Sequence, residues 1–307
     1  MTELLLTPFS FTSTADDVLA GVDLTGRRAV VTGASSGLGV ETARALAAVG
    51  AEVVLGVRRL DAGEKVAAQI SETTGNSRIA AAELDLADLA TVHRFADTWQ
   101  GPLHILINNA GIMAVPELER TAEGREMQFG TNYLGHFVLS TGLRKALAEA
   151  GGARIVSVSS SGHMLSPVIF DDLDYRFREY DPWTAYGQSK TACILLAVEA
   201  NRRWADDGIH ANALNPGAIA TNLQKHTGGL RTPENLRKTV AQGAATSVLL
   251  AASPLLEGVG GRYFEDCNQS PLVEERPTGL GIPAVAPYAL DLANAAHLWN
   301  VASQLAR

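Results

Sequence analysis

The chain has 307 residues, of which 46% are hydrophobic and 19% charged, and it carries a net charge of −8. That balance suits one large globular α/β unit with a sizeable core, and it argues against a nucleic-acid partner, which wants a basic face. Two cysteines, Cys193 and Cys267, are too few for a disulfide framework or a metal cluster, so no metal site is expected and the compartment reads as reducing.

No run approaches the roughly 18 apolar residues of a membrane span. Glu3 stands where a signal peptide would be basic. A cytoplasmic protein without a membrane anchor is the expectation.

Residues 1–26 read as an N-terminal arm with a small helix near Ala15–Ala20. Strands are predicted at Arg28–Thr32, Val53–Val57, Ile79–Leu84, Leu103–Ile107, Arg154–Ser159, His210–Leu214 and Gly261–Phe264. Between most of them lie alanine- and leucine-rich stretches with helical spacing, such as Val40–Val49 and Thr191–Trp204. Short buried strands alternating with helices mean βαβ units and a mostly parallel sheet. The expected fold is α/β: one Rossmann-type, doubly wound sheet of about seven strands flanked by helices. It forms one domain over 1–307, closed by a tail and helix over 265–307. Three segments read as irregular: Ser161–Pro182, Ala218–Glu234 and Glu265–Pro287. The last holds Pro271, Pro277, Pro283 and Pro287, and is expected to wrap the surface rather than form a helix.

The first predicted strand runs into Gly33-Ala34-Ser35-Ser36-Gly37-Leu38-Gly39 and then into a helix. A helix start offers free N–H groups and a positive dipole end to an anion. Glycines let the backbone approach a pyrophosphate without a Cβ clash. At a first βα turn this favours a dinucleotide cradle over an ordinary tight connection. The second strand ends in Arg58-Arg59, with no carboxylate until Asp61. Arginine forks match a 2′-phosphate, whereas an acidic residue would hold a ribose hydroxyl, so NADP(H) is favoured over NAD(H). Asp85 and Leu86 close the third strand, where a carboxylate and backbone could flank adenine. Asn108-Asn109-Ala110-Gly111 follows the fourth, an asparagine pair read as capping the next helix and tying strands together.

Of the tyrosines, only Tyr186 has a lysine, Lys190, four residues on. That spacing stacks both side chains on one helix face. An ammonium beside a phenol favours the phenolate, which suits proton exchange with an alcohol oxygen.

In this order, the cradle, Asn108-Asn109-Ala110-Gly111 and the Tyr186/Lys190 pair resemble the short-chain dehydrogenase/reductase family. The spacing Gly33, Gly37, Gly39 is similar to its classical branch. More narrowly, the chain resembles the retinol dehydrogenases and the catalytic domain of the WW-domain oxidoreductase. The likeness runs from Ser13–Gly21 through Asn132–Phe137, Asn212–Gly217 and Tyr263–Cys267 to Ala296–Trp299.

The resemblance implies that Tyr186 is the general acid/base and that Lys190 assists it and binds the nicotinamide ribose. It implies that Asn132 holds a relay water through its backbone. In the run Ser159-Ser160-Ser161 it selects Ser160 to orient the substrate oxygen, leaving turn chemistry to Ser159 and Ser161. The gap from Ser160 to Tyr186 is longer than in many classical members, as in the retinol dehydrogenase-like branch. Cofactor contacts are implied at Asn109, Ala110 and Gly111, at Pro216 and Gly217, and at Ile219 and Thr221 beside the carboxamide. The segment from Asn222 to about Glu234 could close over the substrate. Family members often assemble through the helices after the fourth and fifth strands, a surface that the long tail could cover.

Other residues are discounted. His163 reads as a wall or a satisfied polar contact and His136 as core packing. Asp171, Asp172 and Asp174 read as a solvated loop or a helix cap. Cys193 reads as helix packing, and Cys267 has no assigned chemistry.

The function expected is hydride transfer between NAD(P)(H) and a carbonyl/alcohol pair. Met164, Leu165, Val168, Ile169, Phe170 and Trp183 near the serine suggest a lipophilic ketone, aldehyde or secondary alcohol. One rival is a catalytically silent dinucleotide-binding sensor or scaffold. Another is an epimerase or dehydratase that retains its cofactor.

Overall fold

A computed structural model describes residues 3–306. Met1 and Thr2 of the expected arm, and Arg307 of the expected tail, lie outside the described residues.

The strands in chain order are β1 (Arg28–Thr32), β2 (Glu52–Val57), β3 (Ile79–Glu83), β4 (Ile105–Asn108) and β5 (Ala153–Val158). They continue with β6 (Ile209–Asn215), β7 (Ala218–Ile219), β8 (Arg237–Lys238), β9 (Tyr263–Glu265) and β10 (Asn268–Gln269). The helices begin with α1 (Ala15–Val18), α2 (Gly37–Ala48), α3 (Leu60–Thr74), α4 (Leu89–Thr98) and α5 (Met127–Phe129). Then come α6 (Gly135–Gly142), α7 (Arg144–Glu149), α8 (Pro182–Trp204), α9 (Val240–Ala252), α10 (Pro287–Leu290) and α11 (Leu292–Leu305).

The large sheet has the order β10-β9-β6-β5-β4-β1-β2-β3 and is parallel except for β10. Strand order reverses between β1 and β4, which opens a crevice beyond the carboxyl ends of the strands. β1 and β4 have helices on both faces, so Val30, Val31, Leu106 and Ile107 are fully buried. Their alternating side chains feed two cores. One packs Phe137, Leu195, Leu196 and Trp299 from α6, α8 and α11; the other packs Leu46, Val248 and Leu249 from α2 and α9.

The long helix α8 starts at Pro182, where the irregular segment was expected to end, and carries both the Tyr186/Lys190 pair and the predicted Thr191–Trp204 stretch. Asp181 caps it, its Oδ1 accepting from Thr184 N–H at 2.7 Å, and proline suits the first turn. Most of α8 is buried on every side, so no one-sided stripe marks its beginning.

The sheet has eight strands rather than about seven. β10 lies in the stretch expected to be irregular, and so does the parallel pair β7–β8 within and just beyond 218–234. Two-residue strands carry no readable alternation. β10 is held from outside by the N-terminal arm: Gln269 N–H donates to Leu5 O, and Thr7 N–H to Asn268 Oδ1. The tail is helix-free until Pro287, as the prolines suggest, but Leu272 pairs with Val285.

Asp171 is exposed, but Asp172 and Asp174 are buried, which corrects the solvated-loop reading. Asp172 accepts N–H bonds from Arg176, Phe177 and Arg178. Asp174 accepts from the Arg125 guanidinium and from Glu126 N–H. A loop that turns back on itself must satisfy its own backbone donors, and Asp172 does so, while Asp174 ties the loop to the start of α5. Among the described residues, no helix is long and apolar enough to cross a membrane, and no cluster of potential metal ligands is found.

Candidate active site

A cleft of about 1770 Å³ follows the carboxyl ends of the strands, running from Arg58 past the glycine turn to Ser160, Tyr186 and Lys190. Its glycines are dictated by close approach. Gly33 has φ +68°, and a β-carbon there would lie 2.8 Å from Ala110 Cα. At Gly39 it would lie 2.7 Å from both Asn109 Nδ2 and Gly33 O. Ser36 occupies the cap position of α2 yet makes no side-chain bond to it, and the first turn holds no acidic residue. By contrast Asp88, Asp181 and Asp291 each cap their helices. The start of α2 therefore offers donors and dipole to an external anion, with Ser35, Ser36, Gly37 and Leu38 on the cleft wall. These residues fit a dinucleotide pyrophosphate.

Arg58 and Arg59 are exposed at the edge of the same cleft. Neither forms an ion pair among the described residues. Asp85 and Leu86 line it next, with Asp85 Oδ1 accepting from Ala87 N–H at 3.0 Å. The asparagine pair caps no helix, which corrects that part of the sequence reading: the next helix starts only at Met127. Strand-tying is what it does. Asn109 Nδ2 donates to Thr32 O at 2.8 Å, and Thr32 Oγ1 accepts from the N–H groups of Asn109 and Ala110. Asn109, Ala110 and Gly111 also line the cleft.

At the chemical end, the buried Lys190 donates from Nζ to Val158 O at 2.9 Å. That Nζ lies 5.7 Å from the centre of the Tyr186 ring. Ser160 Oγ accepts from Gly162 N–H at 3.0 Å, which leaves its own proton free for an acceptor in the cleft. Ser159 is no turn residue: its hydroxyl donates to Lys190 O at 2.7 Å and fastens the strand end to α8. Ser161 is exposed in the short helical turn Ser161–Leu165.

Asn132 sits in a π-helical turn, Gly130–Leu134, between α5 and α6. Its side chain clamps the loop after β4: Oδ1 accepts from Ile112 N–H, and Nδ2 donates to Ile112 O and Ser189 Oγ. Its carbonyl accepts from His136 Nδ1 at 2.8 Å and from the Cys193 thiol at 3.2 Å. His136 is buried, as expected, but it is more than packing. With Nδ1–H committed to a carbonyl, Nε2 must accept the Thr32 hydroxyl at 2.8 Å. Burial holds this imidazole down to about 4, so it stays neutral. Cys193 likewise adds a polar contact to its packing.

On the far wall, Gly217 takes φ +89° and Asn215 Oδ1 accepts its N–H at 3.2 Å. Ile219 is buried against Gly243, while Thr221 packs on Gly37 over the cradle and caps the turn Asn222–His226. The loop from Asn222 to Glu234 rises from the β7–β8 pair, which registers Ala218 with Arg237 and Ile219 with Lys238. That base is pinned by the buried Lys238, whose Nζ lies 2.6 Å from Asp266 Oδ1.

Of the apolar residues expected near the serine, Leu165 and Trp183 line the cleft. Val168 enters the core and Phe170 stacks on His297 at 4.2 Å, so part of that segment serves packing. Met113, Val115 and Met127, which sequence reasoning did not single out, supply apolar wall instead. Two further omissions were Gly162 and Glu265. Gly162 follows the serine run directly, a visible signal. Glu265 lies within the Tyr263–Cys267 stretch with no local pattern to mark it; burial pushes its carboxyl up to about 7.

A family model for short chain dehydrogenases matches residues 27–229. The chain belongs to the short-chain dehydrogenase/reductase family. A Streptomyces antibioticus relative named "Probable oxidoreductase" is 52% identical over 302 residues, covering 93% of this chain and 99% of that protein. Human "Retinol dehydrogenase 12" is 37% identical over 291 residues, covering 92% of this chain and 87% of that protein. The crystal structure of an uncharacterized protein from Mycobacterium Paratuberculosis aligns with a TM-score of 0.74 and 36% identity, over 96% of this chain and 97% of that one. As a short-chain dehydrogenase/reductase resembling the retinol dehydrogenases, this is an NAD(P)-dependent oxidoreductase acting on CH–OH/C=O groups.

Proposed function

We propose that this short-chain dehydrogenase/reductase uses NADP(H) in preference to NAD(H) to interconvert a lipophilic ketone or aldehyde with its alcohol. The observation that carries the chemistry is the convergence of Ser160, Tyr186 and Lys190 at one end of the cleft that holds the glycine cradle. Bound NADP(H) supplies or takes up the hydride.

In the reducing direction Tyr186 protonates the substrate oxygen, and in oxidation it takes that proton back. Ser160 has a free hydroxyl proton and holds the oxygen as charge develops. Lys190 keeps two protons beyond its bond to Val158 O, enough to hold ribose hydroxyls. Asn132 clamps the Ile112 loop beside Lys190, and its carbonyl receives the relay water in competition with the Cys193 thiol, the weaker of its two donors.

Gly33, Ser35, Ser36, Gly37, Leu38 and Gly39 hold the pyrophosphate. Asp85, Leu86, Asn109, Ala110 and Gly111 flank adenine and ribose, while Pro216, Gly217, Ile219 and Thr221 hold the carboxamide side. Unpaired Arg58 and Arg59 support the preference for a 2′-phosphate. The apolar wall of Met113, Val115 and Trp183 supports the lipophilic substrate class.

The test mixes the protein with NADPH or NADH and a panel of carbonyls, following the absorbance of the reduced nicotinamide. Turnover of hydrophobic carbonyls that Tyr186→Phe abolishes is the expected result. Cofactor binding without net consumption, or strong turnover of charged sugars alone, would overturn the reading.

A further inference from the structure

The C-terminal tail reaches the site through two buried side chains. Ala284 N–H donates to Glu265 Oε2 at 2.7 Å, and Ala286 N–H donates to His163 Nε2 at 3.2 Å. In extended chain, alternate N–H groups point the same way, so one short strand serves both acceptors. Val285 turns its N–H the other way, to Pro271 O.

Each acceptor reaches on to a different half of the site. The other oxygen of Glu265, Oε1, accepts from Asn215 Nδ2 at 2.7 Å, and Asn215 in turn accepts from Gly217 N–H. His163 has Nε2 committed as an acceptor, so its proton is on Nδ1, which donates to Ser160 O at 2.8 Å. Glu265 and His163 are buried, and so are their bonds to the tail. Immediately before them in the chain, Leu280, Gly281, Ile282 and Pro283 line the cleft. Loose surface tails do not spend a buried carboxylate and a buried imidazole on two alternate backbone donors.

We propose that Glu265 and His163 are positioning residues that build the tail into the active site, spacing the Asn215–Gly217 turn against Ser160 and fixing the Leu280–Pro283 wall that selects the carbonyl substrate. The inference rests on the reaction proposed above. Glu265 acts through the turn and the tail, and His163 through the Ser160 backbone.

Two conservative substitutions cut these links separately. Glu265→Gln places an amide N–H₂ against either Asn215 or Ala284, both donors. His163→Asn keeps a donor for Ser160 O and removes the acceptor for Ala286. Ser270→Ala, which deletes one 3.2 Å bond to Glu265 Oε2, serves if either larger change fails to fold.

Steady-state kinetics would use NADPH with a long probe, decanal, and a short one, butanone. Amide hydrogen exchange at Gly217 and residues 280–286 would be followed with and without NADPH. The expected result is a KM for decanal raised about tenfold in both variants, the size of one lost buried hydrogen bond to a charged or aromatic acceptor. Butanone should lose activity through the shift at Ser160 too, but by a smaller factor than decanal, since a short probe gains less from the Leu280–Pro283 wall, so that size discrimination collapses. NADPH should slow exchange over 280–286 in the wild type and not in the variants. An unchanged decanal-to-butanone ratio in folded variants overturns the proposal, as does wild-type exchange that ignores NADPH. Wild-type protein that binds NADPH but reduces neither carbonyl overturns the reaction instead, and the exchange arm then decides the clamp alone.

Discussion

The α-carbon of Gly162 lies so close to the ring of Tyr186 that a β-carbon there would sit 2.7 Å from Cε1. The same β-carbon would lie 3.4 Å from Ser160 Oγ, so this glycine is what lets the serine hydroxyl and the tyrosine share one corner of the cleft. Gly162→Ala should push the ring aside by a few tenths of an ångström or more. We expect kcat to fall about 10- to 100-fold while NADPH affinity stays within about threefold, because misplacement of a reacting group is costly and the cradle is remote. Stopped-flow turnover and fluorescence titration of NADPH would check both halves.

Tyr186→Phe removes the proton donor and leaves the packing of a buried ring intact. A loss of about 10²- to 10⁴-fold in kcat is expected, with little change in thermal midpoint. Full activity in this variant would eliminate the tyrosine as the acid/base.

Cofactor preference is set at the opposite end of the cleft. Arg58→Ala should weaken NADPH about tenfold and NADH hardly at all, since a charge-assisted guanidinium–phosphate contact is lost only with the phosphorylated cofactor. Arg59→Ala tests whether the second arginine shares the load. Isothermal titration with both cofactors gives the ratio directly, and equal losses would instead make the arginines general anion attractors.

Buried titratable groups predict how stability depends on pH. Burial holds His136 and His163 at about 4, below the ordinary value of 6.5. They stabilise the fold above about 6.5, and that contribution is lost as pH falls towards 4. Burial pushes Glu126 and Glu265 the other way, from 4.5 up to about 7. Their effect on stability is most favourable below about 4.5 and fades as pH rises to about 7. The two pairs oppose each other over nearly the same window and largely cancel, while His104 and His210, also held down by burial, leave the wild-type profile rising with pH. In Glu265→Gln one carboxyl arm is gone, and stability should rise with pH by about 2–3 kcal/mol more than in the wild type between those limits. Urea unfolding at about pH 5 and pH 8 measures the tilt.

Much of this was legible in the residue order. Strand β1, the glycine turn and the Arg58-Arg59 end are local features, each written in a few adjacent residues. The Tyr186/Lys190 spacing is local too, and Ser160 was separable from its neighbours only through likeness to a family. Ser159 was misjudged because its partner, the carbonyl of Lys190, is distant in the chain and adjacent only across the β5–α8 packing. The polar role of His136 was hidden for the same reason: Thr32 is 104 positions away.

Period, spacing and turn chemistry depend on neighbours within a few residues, so strands, cradle and the catalytic pair can be read from order alone. The Ala284–Ala286 clasp on Glu265 and His163, the Asn132 clamp on Ile112 and the bridge of Asp174 to Arg125 and Glu126 cannot. Each is a buried polar group finding a partner far along the chain, and which partner it finds is settled by packing around the sheet. Hydrogen-bond satisfaction in a core is a condition on the whole fold, and it becomes visible only when distant segments are brought side by side.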